Sequence, residues 1–214
     1  MARKISPSAE HDSTRGRLLQ AAGEVFAECG LRGTTIEMIC RKAGANIAAV
    51  NYHFGGKENL YYETIKWGRK CCAGMEELQA EELTKLTPRQ ALHRFVADYL
   101  RTLLSPRNPA WYFRLISREM AEPTPALDRF IREVIHTRRL CLAGVIERIA
   151  GGKLSARRLE LIGSSIVGQC LFYNHCQTIV LRLRGKSAYE QTDVDELVEH
   201  ITAFSLAAIK GFTT

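Results

Sequence analysis

The sequence of 214 residues lacks the features of secreted, membrane-spanning and disulfide-bonded proteins. Its first 17 residues are charged and have no apolar core, which predicts that they are not a secretory signal. No apolar run approaches the length that spans a bilayer. The seven cysteines are scattered, without a Cys-x-x-Cys spacing. We therefore expect a cytoplasmic protein without disulfides and with no membrane partner.

Catalytic motifs are also missing. The sequence contains no G-x-G-x-x-G, P-loop, H-E-x-x-H or G-x-S-x-G pattern. The nearest approach to a metal cluster is Cys170, His175 and Cys176, but adjacent helical residues point about 100° apart. We expect no catalytic residue, no metal and no cofactor, and hence no enzyme activity.

The charge of the chain is compatible with a polyanionic partner. The formal net charge is +7. Residues 1–57 contain eight lysines and arginines against five acidic residues, a local excess of only three. Bulk charge alone would therefore bind DNA weakly, and shape and specific contacts must contribute.

The most informative stretch reads TTIEMICRKAGANIAAVNYHFGGK. Thr34 or Thr35 can cap a first short helix, and Gly44 can end it in the left-handed conformation. Asn46 is placed to cap a second helix over Ile47–Phe54. A helix, a glycine-containing turn and a second helix form the geometry that places the second helix in a DNA major groove. The alternative is a helical hairpin that only packs.

The second helix has an outer face suited to DNA. Val50 and Phe54 are spaced to pack inward, which leaves small and polar residues outside. Asparagine can pair with adenine, and small apolar side chains can contact a thymine methyl group. Lys57 is near the start of the next helix, where a phosphate is favoured. The predicted DNA-binding residues are Thr34, Thr35, Asn46, Ile47, Ala48, Ala49, Asn51, Tyr52, His53 and Lys57.

A spaced pattern runs through the same region: a phenylalanine near the end of an amphipathic helix, then G-x-x-x-T-T, I-x-x-x-A-G, an aromatic run and K-E-x-L. Its members here are Phe26, Gly30, Thr34, Thr35, Ile39, Ala43, Gly44, Tyr52, His53, Phe54, Lys57, Glu58 and Leu60. Through them, residues 18–63 resemble the DNA-binding domain of TetR/AcrR-family transcriptional repressors. Cys40 and Asn51 depart from the alanine and tyrosine usual there, and Asn51 leaves the base preference open. Residues 118–128 resemble the C-terminal domain of the CecR-like subgroup.

Helical periodicity continues to the end of the chain, with no strand signal and no repeat. It predicts an all-α fold of about nine helices. We expect a flexible basic arm at 1–12, a helix-turn-helix domain at 13–60 and an effector-binding and dimerisation domain at 61–214. The expected helices include one that runs from Lys57, across the boundary at residue 60, towards Leu83, and one over Ser155–Leu183.

The last two predicted helices carry apolar stripes wider than one neighbour requires. One interpretation is an intramolecular core; the other, which fits the resemblance better, is a four-helix bundle built from two subunits. The predicted dimer-interface residues are Ile162, Ser165, Ile166, Phe172, Val198, Ile201, Phe204 and Ala208.

The middle helices combine aromatic side chains with polar groups, which is typical of a small-molecule site. The candidate effector-binding residues are Phe95, Tyr99, Trp111, Arg114, Arg118, His136, Phe172 and His175.

The resemblance implies a ligand-responsive homodimeric regulator, a repressor, that binds a pseudo-palindromic double-stranded DNA operator and is released by a small molecule. Two other hypotheses stay open at this point: a DNA-binding protein with no effector, and a helical small-molecule enzyme.

Overall fold

The computed structural model describes residues 13–72 and 80–213. Within these ranges the chain forms helices joined by short turns, with no strand, which confirms the all-α prediction. None of the described helices is both long and apolar enough to cross a membrane. The predicted basic arm at 1–12 lies outside the described residues.

The helices have the following bounds. They are α1 (Thr14–Gly33), α2 (Ile36–Ala43), α3 (Ile47–Phe54), α4 (Lys57–Cys71), α5 (Ala80–Thr84), α6 (Pro88–Leu104), α7 (Ala110–Ala121), α8 (Pro125–Phe130), a π segment (Ile131–Ile135), α9 (His136–Ala150), α10 (Ala156–His175), α11 (Gln177–Leu183) and α12 (Gln191–Thr213).

The chain divides into two compact units. Unit 1 comprises Met1–Cys72 and Asn108–Arg132, and its described helices are α1–α4, α7 and α8. Unit 2 comprises Ala73–Arg107 and Glu133–Thr214, with α5, α6 and α9–α12. The units group all of α4, together with α7 and α8, with the helix-turn-helix. The functional boundary after residue 60 stays a prediction.

Unit 1 is built around the indole of Trp111 in α7. A Cβ atom added to Gly23 of α1 would lie 2.6 Å from this ring, and one added to Gly68 of α4 would lie 2.5 Å from it. The ring of Trp67 stacks on Trp111 with centroids 5.9 Å apart. The indole N–H donates to the side-chain oxygen of Gln20 at 3.3 Å. Two glycines therefore let α7 pack closely against both α1 and α4.

A buried carboxylate joins α4, α7 and the start of α8. Glu119 is only 2% exposed. It accepts hydrogen bonds from the Tyr61 hydroxyl at 2.5 Å and from the backbone N–H and hydroxyl of Thr124, both at 2.8 Å. Burial, and then the bond to Glu119, raise the pKa of Tyr61 well above its ordinary value, so the phenol remains a donor. Each buried polar group here has a partner, as stability requires.

Unit 2 has its own apolar core, formed by α6, α9, α10 and α12. Fully buried members include Leu100 of α6, Ile146 of α9, Ile166 of α10 and Ile201 of α12. The start of α6 is fixed by a capping box, in which Thr87 and Gln90 satisfy each other's backbone N–H groups.

Two predicted helix boundaries were wrong. The helix that begins at Lys57 ends at Cys71 and does not run towards Leu83, because Cys72 is extended (φ −71, ψ 131). The helix expected over Ser155–Leu183 is interrupted at Cys176 (φ −95, ψ 16). At Gly30 the backbone leaves the helical region (φ 70, ψ 176), which kinks α1. Together with the π segment, these breaks divide the roughly nine predicted helices into shorter ones.

The packing of Trp111 predicts opposite effects for two Gly→Ala substitutions within helices. Gly68→Ala should lower the free energy of unfolding by about 1–3 kcal/mol, because the new methyl group overlaps the indole. Gly144→Ala in α9 meets nothing within 4 Å and should raise it by roughly 0.5–1 kcal/mol through helix propensity. Urea unfolding of both variants is the measurement. Equal gains in both would contradict the close packing around Trp111.

Candidate nucleic-acid interface

The first helix of the pair, α2, is capped by Thr35. The Thr35 hydroxyl accepts from the backbone N–H of Met38 at 3.3 Å, which decides between the two threonines. Hydrogen bonds from its own backbone N–H, and then from the Thr35 hydroxyl, lower the pKa of Glu37 at this end. At the other end Gly44 is left-handed (φ 60, ψ 42), as predicted.

Thr34 has a structural role, which corrects its assignment as a DNA contact. The residue is 1% exposed, and its hydroxyl donates to the carbonyl of Gly30 at 2.6 Å. The carbonyl of Thr34 accepts from the ammonium of Lys57 at 3.0 Å. Thr34 thus ties the kink of α1 to the start of α4, at the corner from which α2 departs.

The second helix, α3, is fixed at both ends. Asn46 caps it by accepting from the backbone N–H of Ala49 at 2.9 Å. Gly55 ends it in the left-handed region (φ 73), and the side chain of Asn59 donates to the carbonyl of Phe54 at 2.9 Å. Val50 and Phe54 are buried beneath the helix, as predicted. These contacts hold the outer face of α3 in one orientation.

That outer face is exposed to solvent. Tyr52 is 85% exposed, and its ring lies edge-on to the ring of His53 with centroids 5.0 Å apart. An exposed large aromatic side chain among other apolar ones marks an interaction surface. Ala49 is only half-buried, whereas the remaining predicted contacts on this face, Ile47, Ala48, Asn51 and His53, are exposed.

The start of α4 adds an anion-binding feature beside α3. Gly56 precedes the helix and supplies no side-chain cap, so the first-turn N–H groups of α4 are not occupied by a capping side chain. Lys57 is half-buried, and its ammonium has further donors after the bond to Thr34. Uncapped amides and a cation at a helix N-terminus favour phosphate.

Arg41 is a candidate DNA contact that the sequence analysis did not include. It is exposed in the last turn of α2, whereas its neighbour Lys42 pairs with Glu24 at 2.7 Å. In the sequence, Arg41 and Lys42 are both cations in the last turn of a predicted helix, which is a common position for cations. Only the fold shows that Lys42 is the one paired with Glu24.

Comparison with known proteins agrees with this geometry. A family model described as "Bacterial regulatory proteins, tetR family" matches residues 18–64. A second, described as "HTH-type transcriptional dual regulator CecR, C-terminal domain", matches residues 88–209, more than half of the chain. The chain belongs to the TetR family of transcriptional regulators.

Individual relatives extend the TetR-family similarity along the chain. The HTH-type transcriptional dual regulator CecR of Shigella flexneri is 26% identical over 210 residues, covering 94% of each protein. The HTH-type transcriptional repressor AcnR of Corynebacterium diphtheriae is 27% identical over 185 residues, covering 76% of this chain and 96% of AcnR.

Two crystal structures share the TetR-family fold. HlyIIR, a hemolysin II transcriptional regulator, has a TM-score of 0.61 at 24% identity, covering 88% of this chain and 97% of HlyIIR. PfmR of Thermus thermophilus has a TM-score of 0.62 at 19% identity, covering 91% of this chain and 96% of PfmR.

The predicted dimer-interface residues fall into two groups. Four of them are buried within the core of unit 2, so they cannot form an exposed interface: Ile162, Ile166, Val198 and Ile201. Phe172 and Phe204 are 51% and 58% exposed, Ser165 is exposed and Ala208 is half-buried. Helical spacing placed both groups on similar stripes, and only packing separates them.

The candidate effector residues are not one cluster, because they are divided between the two units. Trp111 is used by the core of unit 1, which corrects its assignment as a ligand contact. In unit 2, the ring of buried Phe95 stacks on Tyr99 with centroids 5.9 Å apart. Arg118 lines a pocket in unit 1. The remaining members, Arg114, His136, Phe172 and His175, are exposed.

A substitution at Thr34 separates a structural role from a DNA contact. Thr34→Val keeps the shape but removes the hydroxyl that satisfies the Gly30 carbonyl, so we expect a loss of about 1–3 kcal/mol in unfolding free energy. Thr34→Ser keeps the hydroxyl and should lose much less. Urea unfolding is the measurement. A Thr34→Val protein of unchanged stability but weakened DNA binding would restore the original assignment.

Proposed function

We propose that the protein is a homodimeric repressor that binds an inverted-repeat DNA operator through α3 and is released by a small molecule. The observation that carries this proposal is the outer face of α3. This face exposes both apolar and polar side chains to solvent, and caps at both ends of α3 hold it in one orientation.

The geometry of α3 supports base recognition in the major groove. Its small residues, Ala48 and Ala49, allow the helix backbone to approach base edges closely. Asn51 offers the amide that pairs with adenine, and Ile47 offers an apolar contact for a thymine methyl group. The first turn of α4 is adjacent in the chain and would hold a backbone phosphate, which sets the register.

Exposed apolar side chains on α10 and α12 support dimerisation. These two helices contact each other within unit 2. Each buries one stripe in its own core and leaves another in solvent. Pairing the second stripe with that of another copy would form a four-helix arrangement and place two α3 helices on one operator. The proposed interface residues are Leu161, Ser165, Leu171, Phe172, Phe204, Ala208 and Phe212.

We propose control by an effector because most of the chain lies beyond the DNA-contacting helices. A coupling free energy of about 1–3 kcal/mol between effector and operator would change operator affinity roughly 5- to 150-fold. The effector must bind the released state more tightly than the DNA-bound state, because otherwise it shifts nothing. Repression is the proposed direction because the similar AcnR is described as a repressor.

The DNA-binding proposal predicts two kinds of loss. After selection of an operator from genomic fragments, Asn51→Ala should cost about 1–3 kcal/mol at particular base pairs. Lys57→Ala should weaken binding to all sequences and reduce the salt dependence by about one unit of slope. The matched control is Lys70→Ala, which removes the same charge at the other end of α4. Unchanged affinity in both Asn51→Ala and Lys57→Ala would refute the interface.

The dimer proposal predicts different outcomes for exposed and buried positions. Phe204→Glu should give a folded monomer with little operator affinity, whereas Ile166→Glu should unfold unit 2, because Ile166 is fully buried. Met120→Glu changes an exposed apolar residue of unit 1 and should remain dimeric. Light scattering and circular dichroism distinguish these outcomes. A wild-type protein that is monomeric at micromolar concentration would rule out this assembly.

A further inference from the structure

Unit 1 contains a half-open pocket of about 550 Å³ that the DNA-binding surface does not use. This size lies within the range of small-molecule sites. Its walls come from the end of α1, from α4 and from the turn between α7 and α8. Lining residues that matter here are Leu31, Arg32, Tyr61, Arg118, Glu122 and Pro123.

The guanidinium of Arg118 is incompletely paired. Its Nη1 donates to the carbonyl of Glu28 at 3.2 Å. Its Nη2 lies 3.8 Å from the carboxylate of Glu122, which is beyond hydrogen-bond distance. Its Nε is buried without a partner, and a Cβ on Gly30 would lie 2.6 Å from it. Because Nε is enclosed against Gly30, Nη2 is the donor left for a ligand, and a guanidinium held in place in this way is suited to bind a carboxylate.

The charges and walls of the pocket define the ligand class. Arg118 and the exposed Arg32 are two cations against the single carboxylate of Glu122, which is 74% exposed. The balance favours an anion. Leu31, Pro123 and the buried ring of Tyr61 supply apolar surface beside it.

The same walls belong to the contacts that position the helix-turn-helix. Gly30 accepts from Thr34, which in turn accepts from Lys57 at the start of α4. Two further lining residues, Tyr61 and Thr124, share the buried carboxylate of Glu119. A molecule in this pocket therefore touches Gly30, whose carbonyl is bonded to Thr34, and Thr34 is bonded in turn to Lys57 at the start of α4.

We propose that this pocket is the effector site, that its ligand is a small organic carboxylate with a short apolar body, and that the carboxylate binds Arg118. The regulatory part rests on the proposed function as a DNA-binding repressor. The binding part stands independently of it.

The test uses the full chain and matched probes. Hexanoate and 2-naphthoate are titrated by calorimetry beside their neutral amides. At least one carboxylate should bind with saturation, and its amide should bind at least tenfold more weakly. Arg118→Ala should weaken carboxylate binding at least tenfold, whereas Arg132→Ala, at an exposed arginine of the same unit that does not line the pocket, should leave it unchanged.

A variant that is expected to strengthen carboxylate binding distinguishes the site from losses caused by misfolding. Glu122→Gln removes the carboxylate that competes for Arg118 and should tighten binding about two- to fivefold. Failure of both carboxylates to bind the wild type, or equal losses in Arg118→Ala and Arg132→Ala, would overturn the site.

Operator affinity is measured with and without the carboxylate. Saturating carboxylate should weaken it at least fivefold. Carboxylate binding that leaves operator affinity unchanged would overturn the effector role. If the ligand-free protein binds no operator, the proposed function would be overturned, but the carboxylate site would not be affected.

Discussion

The DNA-binding unit depends on the corner where α1 turns into α2. There the buried hydroxyl of Thr34 satisfies the carbonyl of the kinked Gly30, and the carbonyl of Thr34 receives the ammonium of Lys57. Each group would be costly if buried without its partner. Because three helices meet through these two bonds, the direction of α2 and the start of α4 are set together. The position of α3 between them follows.

Rigidity around this corner explains how a mostly apolar surface can remain in solvent. Ile47 and Tyr52 gain nothing from burial in the free protein, so the stability of unit 1 must come from elsewhere. It comes from the buried apolar side chains of α1, α2 and α4, from Trp111 held between two glycines, and from the Glu119 carboxylate with its three donors. α7 thus supports the helix-turn-helix, although it lies far along the chain. This arrangement also leaves the pocket beside Arg118 in contact with the corner itself.

Three buried cysteines belong to the two apolar cores. Burial raises the pKa of Cys72 to about 12 and that of Cys170 to about 12, so both remain protonated. Burial also raises the pKa of Cys40, which lies within α2. These three cysteines act as small apolar residues of the two cores.

The sequence by itself determined the local structure of the helix-turn-helix. The cap at Asn46, the left-handed Gly44 and the buried pair Val50 and Phe54 follow from neighbouring residues, because capping and periodicity act within a turn or two. The TetR-family membership was readable for the same reason, since its motif is a set of such local positions.

Tertiary structure decided everything that depends on which surfaces meet. Periodicity shows that Ile166 and Phe172 lie on apolar faces of α10, but only packing buries the first and leaves the second half in solvent. Likewise, the sequence around Trp111 is equally compatible with a ligand site and with an apolar core. The glycines that accept its ring are remote in the chain, and contacts between remote residues are not encoded in local spacing.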